Sequence, residues 1–211
     1  MKRLLLPGLA LLAACGSPPP PALTPAAQAR ADGGKPPYTR ADVEFMSGMI
    51  GHHAQAVVMA GWAAGHGAGT AVQRLAARIV VGQRDEIALM ESWLRERNEP
   101  VPGADSSHAG MPGMKHYPHM PGMLTAEQLA QLNQARGPEF DRLFLTFMIQ
   151  HHRGAITMVE RLFGSHGAAQ DEIVFKFASD VHVDQITEIE FMSEMLAALG
   201  EGKQPLPSPC C

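Results

Sequence analysis

Apolar residues recur along this chain in steps of three and four, and each run is interrupted by histidine, glutamine or glutamate. Phe45, Met49, His52, Ala56, Met59 and Ala63 lie on one such stripe, with the period of an amphipathic helix. Leu75, Ile79, Gln83, Glu86, Met90 and Trp93 form a second. Phe144, Met148, His151, Ala155, Met158 and Leu162 form a third, and Phe177, Val181, Glu188, Met192 and Met195 a fourth. No stretch alternates with period two long enough to make a sheet. Helix ends are legible as well. Thr39 is placed to cap the first helix, and His66-Gly67 and His166-Gly167 read as helix termini. Gly137-Pro138 separates a short helix begun at Thr125 from a long one. The pattern predicts helices over 39–65, 69–97, 125–136 followed by 138–165, and 168–199.

The stripes are copies of one another. DVEFMSGMIGHHAQAVVM, from Asp42, matches DRLFLTFMIQHHRGAITM, from Asp141, at an offset of 99 residues. Gln83, Glu86, Ile87, Met90 and Leu94 match Gln185, Glu188, Ile189, Met192 and Leu196 at an offset of 102. A duplicated helical hairpin makes an all-α four-helix bundle over 38–200, with repeats at 39–97 and 138–199. The connection over 98–124 is long enough to cross the bundle, which permits a departure from simple up-down topology.

The ends have another character. Met1-Lys2-Arg3 precede a run of about a dozen mostly apolar residues, the layout of a secretory signal and too short to span a bilayer. Leu12-Ala13-Ala14-Cys15 followed by Gly16 has the form of a bacterial lipobox, so Cys15 is the expected site of lipidation and membrane anchoring. The Pro-rich stretch 16–37 is expected to be a disordered tether and 201–211 a disordered tail. The closing Cys210-Cys211 reads either as a frayed end or as a thiolate site for a soft metal.

Composition narrows the function. Seventeen Lys+Arg against 21 Asp+Glu give a formal charge of -4, which argues against a general nucleic-acid binder. Three cysteines are too few for a disulfide scaffold, whereas 13 Met and 10 His are an excess of soft sulfur and imidazole. Each repeat carries Met-x-x-His-His on its first helix, so Met49 with His52 or His53, and Met148 with His151 or His152, are helical neighbours able to share an ion. Adjacent histidines point about 100° apart, so one of each pair lies in the apolar stripe and the other leans to a flank or a neighbouring helix. The alternative is a core histidine bonded to a carboxylate opposite, and Glu86 and Glu188 stand on facing stripes. The linker HAGMPGMKHYPHMPGML, from His108, interleaves Met111, Met114, Met120 and Met123 with His116 and His119. Thioethers select Cu(I), and imidazole takes either copper oxidation state.

The twin blocks FMSGMIGHHAQAVVMA and FLTFMIQHHRGAITMV, each followed by Gln-x-x-Glu-Ile, resemble the ferritin-like bacterial family catalogued as domain of unknown function 305. The likeness covers roughly Tyr38 to Gly200. It implies a secreted or lipid-anchored four-helix bundle, and some members are associated with copper binding and tolerance in the cell envelope. By position, it also implies Met49, His52, His53 and Met59, with Met148, His151, His152 and Met158, as metal ligands.

Three functions are therefore distinguished. The first is extracytoplasmic, periplasmic-side binding of Cu(I) or Cu(II) for sequestration, tolerance or transfer, with a copper donor or acceptor protein as partner. Here the loop captures the ion, the helical sites hold it, and Glu86 and Glu188 orient the imidazoles. The second is a redox-active metalloprotein. Its di-iron form requires Glu-x-x-His, which the chain lacks, the nearest spacing being Asp105-x-x-His108 in the linker. The third is a non-enzymatic helical scaffold at the membrane surface, with Met as adaptable packing. The first is preferred, and no enzymatic activity is expected.

Overall fold

The structure, a computed structural model, describes residues 37–102 and 120–200. The signal with Cys15, the tether, the tail with Cys210 and Cys211, and Met111, Met114, His116 and His119 of the linker lie outside the described residues.

Helix α1 spans Arg40–Gly61 and starts from a reciprocal cap. Thr39 Oγ1 accepts the Asp42 N–H (3.3 Å), and the Asp42 carboxylate accepts the Thr39 N–H (2.6 Å). The helix ends four residues short of the predicted 65. Residues 62–67 form turns closed by Gly67 at φ +69°, a conformation that glycine adopts without strain. His66 therefore lies beyond the last turn of the helix; its Nε2–H donates to the Asn133 carbonyl at 2.9 Å. Helix α2 spans Thr70–Glu96 and α3 spans Ala126–Gln134, the latter opened by a Thr125/Gln128 capping box. Helix α4 spans Gly137–Phe163, with Pro138 in its first turn, where no backbone N–H is needed. Helix α5 spans Glu172–Gly200 and begins four residues later than predicted. Ala169 takes φ +54°, and Asp171 Oδ1 then caps the helix by accepting the N–H groups of Ile173 (3.0 Å) and Val174 (3.3 Å).

The helices pack as two hairpins, α1 with α2 and α4 with α5, joined through α1 against α4. The early half of α1 shares a core with the late half of α4, and the reverse holds at the other end, so these two helices are antiparallel. The order is up-down-down-up, and the long connection carrying α3 makes the crossover.

The core is in two pieces. One contains Phe45–Ile50 positions of α1, Met90 to Leu94 of α2, Ala155 to Leu162 of α4 and Val174 to Val181 of α5. The other takes over at Ala56 on α1, ends at Ile79 on α2 and Ile149 on α4, and resumes at Met192 on α5. Between them every long helix contributes polar residues: His52 and His53, Gln83 and Glu86, His151 and His152, Gln185 and Glu188. The duplicated sequence thus builds a polar layer across the middle of the bundle.

Candidate metal centre

All four imidazoles of this layer are fully buried, each at 0% exposure. His52 of α1 and His151 of α4 meet at the helix crossing, with ring centroids 3.8 Å apart and planes inclined by 39°. The outer histidines turn to the flanking helices. His152 Nε2 lies 2.7 Å from Glu188 Oε2 on α5 and donates to it. His53 Nε2 lies at the same 2.7 Å from Glu86 Oε2 on α2, but off the line of a hydrogen bond. Glu86 and Glu188 are 27% and 23% exposed, so each carboxylate joins the buried ring to solvent. Each glutamate stands beside an outer histidine, and of the two pairs only His152–Glu188 is a hydrogen bond. Burial also extends to both histidines of each pair, beyond the one that the apolar stripe accounts for.

Burial is the main force on the protonation of the inner pair. It pushes the His52 pKa down to about 3, helped by neighbouring His53 and opposed by the Pro121 carbonyl. It holds His151 well below the usual imidazole range, with His52, His152 and His53 adding to the effect. Both are neutral rings carrying a lone pair. The Nδ1 atoms of all four histidines are buried without a hydrogen-bond partner, as is Nε2 of His151. Buried polar atoms are normally satisfied. Nitrogen lone pairs left bare in an apolar core are what a soft or borderline metal ion would complete.

Sulfur flanks the layer on both sides. Met49 packs in one core with Met46 and Met90, and Met158 lies against it. Met59 and Met148 share the other core with Met192 and Met195. A Cβ placed on Gly48 would stand 3.4 Å from both Met120 Sδ and Met158 Cε, so Met120 of the linker reaches α1 beside Met158. Met123 is half-buried, and its N–H donates to Met120 O at 3.4 Å. Among the described residues, no group of three or more His, Cys, Asp or Glu stands arranged as a metal's ligand set. A site here combines imidazole with thioether, or draws imidazoles together.

Sequence reasoning passed over several participants. Gln83 and Gln185 are buried in the layer, and Gln83 Oε1 lacks a partner; their repetition at an offset of 102 was the available signal. Asp184 sits at the rim, its carboxyl raised by burial and then by Glu86, Asp180 and Glu188, with Lys176 opposing. Gln55 is buried and holds the linker, as described below.

A crossover bundle of four long helices around a buried histidine layer is a ferritin-like helical fold. The chain belongs to the family described as Domain of unknown function (DUF305), whose profile matches residues 42–196. Three solved structures are similar to it. A DUF305 protein of Streptomyces coelicolor, described as secreted, is 28% identical over 76% of this chain and 94% of its own, with a TM-score of 0.63. A DUF305 fragment from Deinococcus radiodurans is 30% identical over 79% and 99%, also with a TM-score of 0.63. CopM in its Cu(II)-bound form is 28% identical over 74% and 95%, with a TM-score of 0.59. Comparison with curated proteins gives no match.

Proposed function

We propose that this chain is an extracytoplasmic metal-binding protein that takes up copper, sequestering it or handing it on in the bacterial cell envelope. The carrying observation is the layer of four buried imidazoles with bare nitrogens, bounded by thioethers on both sides. Neutral nitrogen and thioether sulfur together suit Cu(I), and the nitrogens alone suit Cu(II). CopM, which is similar to this chain, has been crystallised with Cu(II), Cu(I) and silver. Export is supported by the signal-like start, and by the relative described as secreted. No helix among the described residues is long and apolar enough to cross a membrane, so attachment would fall to a lipid on Cys15.

The ligands proposed are His52, His53, His151 and His152 with Met49, Met59, Met148 and Met158. Glu188 holds the His152 ring by Nε2, and Glu86 stands 2.7 Å from His53 Nε2 on the other side. Met120 and Met123, with Met111, Met114, His116 and His119 of the linker, form the capturing set. The reaction is ligand exchange with a donor or acceptor protein, not catalysis. Competition titration with a chromophoric chelator, under controlled redox conditions, tests this. Tight, stoichiometric Cu(I) binding that is lost on replacing the four histidines is expected. Binding no tighter than that of exposed histidine would leave a helical scaffold as the reading.

A further inference from the structure

One segment breaks the two-fold symmetry of the imidazole layer. The offset of 99 that pairs His52 with His151 also pairs Gln55 with Gly154 and Gly48 with Phe147. These departures meet the same object, the linker's return over 120–124, which runs as a strap across α1 and α4. Gln55 clamps it from one side. Its Nε2 donates to Leu124 O (3.2 Å), and its Oε1 accepts the Leu124 N–H (2.8 Å), both buried. Gly154 admits it from the other, since a Cβ there would stand 2.0 Å from Pro121 O. Gly122, at φ +75°, would put a Cβ 2.7 Å from Gln150 O, so the strap has no room for a side chain at that point either.

Held in this way, the strap sets Pro121 O 3.1 Å from His52 Nε2. A peptide carbonyl only accepts. The contact is a hydrogen bond only when the hydrogen is on Nε2, and a neutral ring so protonated has its lone pair on Nδ1. His52 Nδ1 is buried and without a partner. His151 has only the His52 backbone beside it, outside hydrogen-bond geometry, and neither of its nitrogens makes a hydrogen bond.

We propose that the 120–124 strap is a positioning element for His52, with Gln55 clamping it and the Pro121 carbonyl fixing the Nε2–H tautomer. His52 thereby offers only Nδ1 to a soft cation, whereas its twin His151 offers either nitrogen. The tautomer stands on the hydrogen bonding alone; the cation's choice of atom rests on the metal-binding reading above.

Long-range proton–nitrogen correlation NMR on the full chain, labelled with nitrogen-15 in histidine and free of metal, tests the first part. His52 should show a single Nε2–H pattern and His151 a mixture. Gln55→Leu and Gly154→Ala, acting on opposite sides of the strap, should each convert His52 to a mixture while helicity is kept. A merely structural role for Gln55 would shift the melting temperature and leave the tautomer alone. An Nδ1–H pattern for His52 in the wild type overturns the proposal even if neither variant folds, and so does an unchanged pattern in both folded variants. Titration with Ag(I), which keeps the spectrum diamagnetic, tests the second part. A shift at His52 Nδ1 is expected, and a shift at Nε2 instead overturns it. No shift at any histidine would overturn the metal-binding reading and leave the tautomer result standing.

Discussion

A buried ring nitrogen without a partner costs about 1–3 kcal/mol against a satisfied one, and this layer holds several. Packing alone would have filled the crossing of α1 and α4 with leucine, as it fills the positions on either side with Phe, Met and Ile. His151, with both nitrogens bare and no exposure, is the sharpest case. Metal-free His151→Leu should be as stable as the wild type or more so, by about 1–3 kcal/mol, when unfolded in urea. A core histidine bonded into the fold would give a clear loss instead. The depressed pKa of His52 makes a second prediction. Because its folded value lies near 3 and its ordinary value is 6.5, its contribution is complete above 6.5. As pH falls from there toward 3, the unfolded chain takes up a proton that the bundle refuses, and stability is lost. The loss is on the order of 4 kcal/mol for a shift of that size. Asp141 and Asp184, whose carboxyls are raised by burial, gain over part of the same descent. The histidine effect is therefore read as the difference between wild type and His52→Leu, by urea unfolding at stepped pH.

At the scale of elements, the two hairpins hold each other by their loops. Asp42 Oδ1 on α1 accepts the N–H of Ala169, between α4 and α5, at 2.7 Å. Its repeat partner Asp141 on α4 accepts the N–H of Gly69, between α1 and α2, at 3.0 Å. Asp42 also closes the capping box with Thr39. Asp42→Ala should therefore cost about 2–4 kcal/mol and Asp141→Ala about 1–3, measured as urea midpoints. These helices were legible because local signals placed them: stripes of period 3.6, the Thr39 and Thr125 caps, and proline at the start of α4. The errors are where tertiary contacts override local preference. Helix α1 stops at Gly61 because His66 turns away to Asn133, and α5 waits for Asp171, which Trp93 and Arg97 hold in place. The site was legible in residue type, since repetition singled out the histidines and the two glutamates. The strap was not. Gln55, Gly48 and Gly154 acquire a meaning only once α1 is known to lie against α4 with the linker crossing both, and the only trace in the sequence is that the repeat fails there.

Across the whole molecule, the layer lies at the seam between hairpins, with His52 from one facing His151 from the other. An ion bound by both rings is a cross-link between the halves, and its binding energy becomes stability of the whole bundle. At a free metal concentration about 100 times Kd the gain is about 2.7 kcal/mol, roughly 5–10 °C in melting temperature for a domain of this size. Saturating Cu(I) or Ag(I) should therefore raise the melting temperature of the wild type by that amount and slow amide exchange along both α1 and α4. The double variant His52→Leu with His151→Leu should bind fewer ions and show no such rise. Capture by linker methionines alone has a different signature. Ions that the linker methionines hold equally in the folded and the unfolded chain would add to the stoichiometry and leave the melting temperature unmoved. Melting and stoichiometry measured on the same samples thus separate ions that close the seam from ions that only dock beside it.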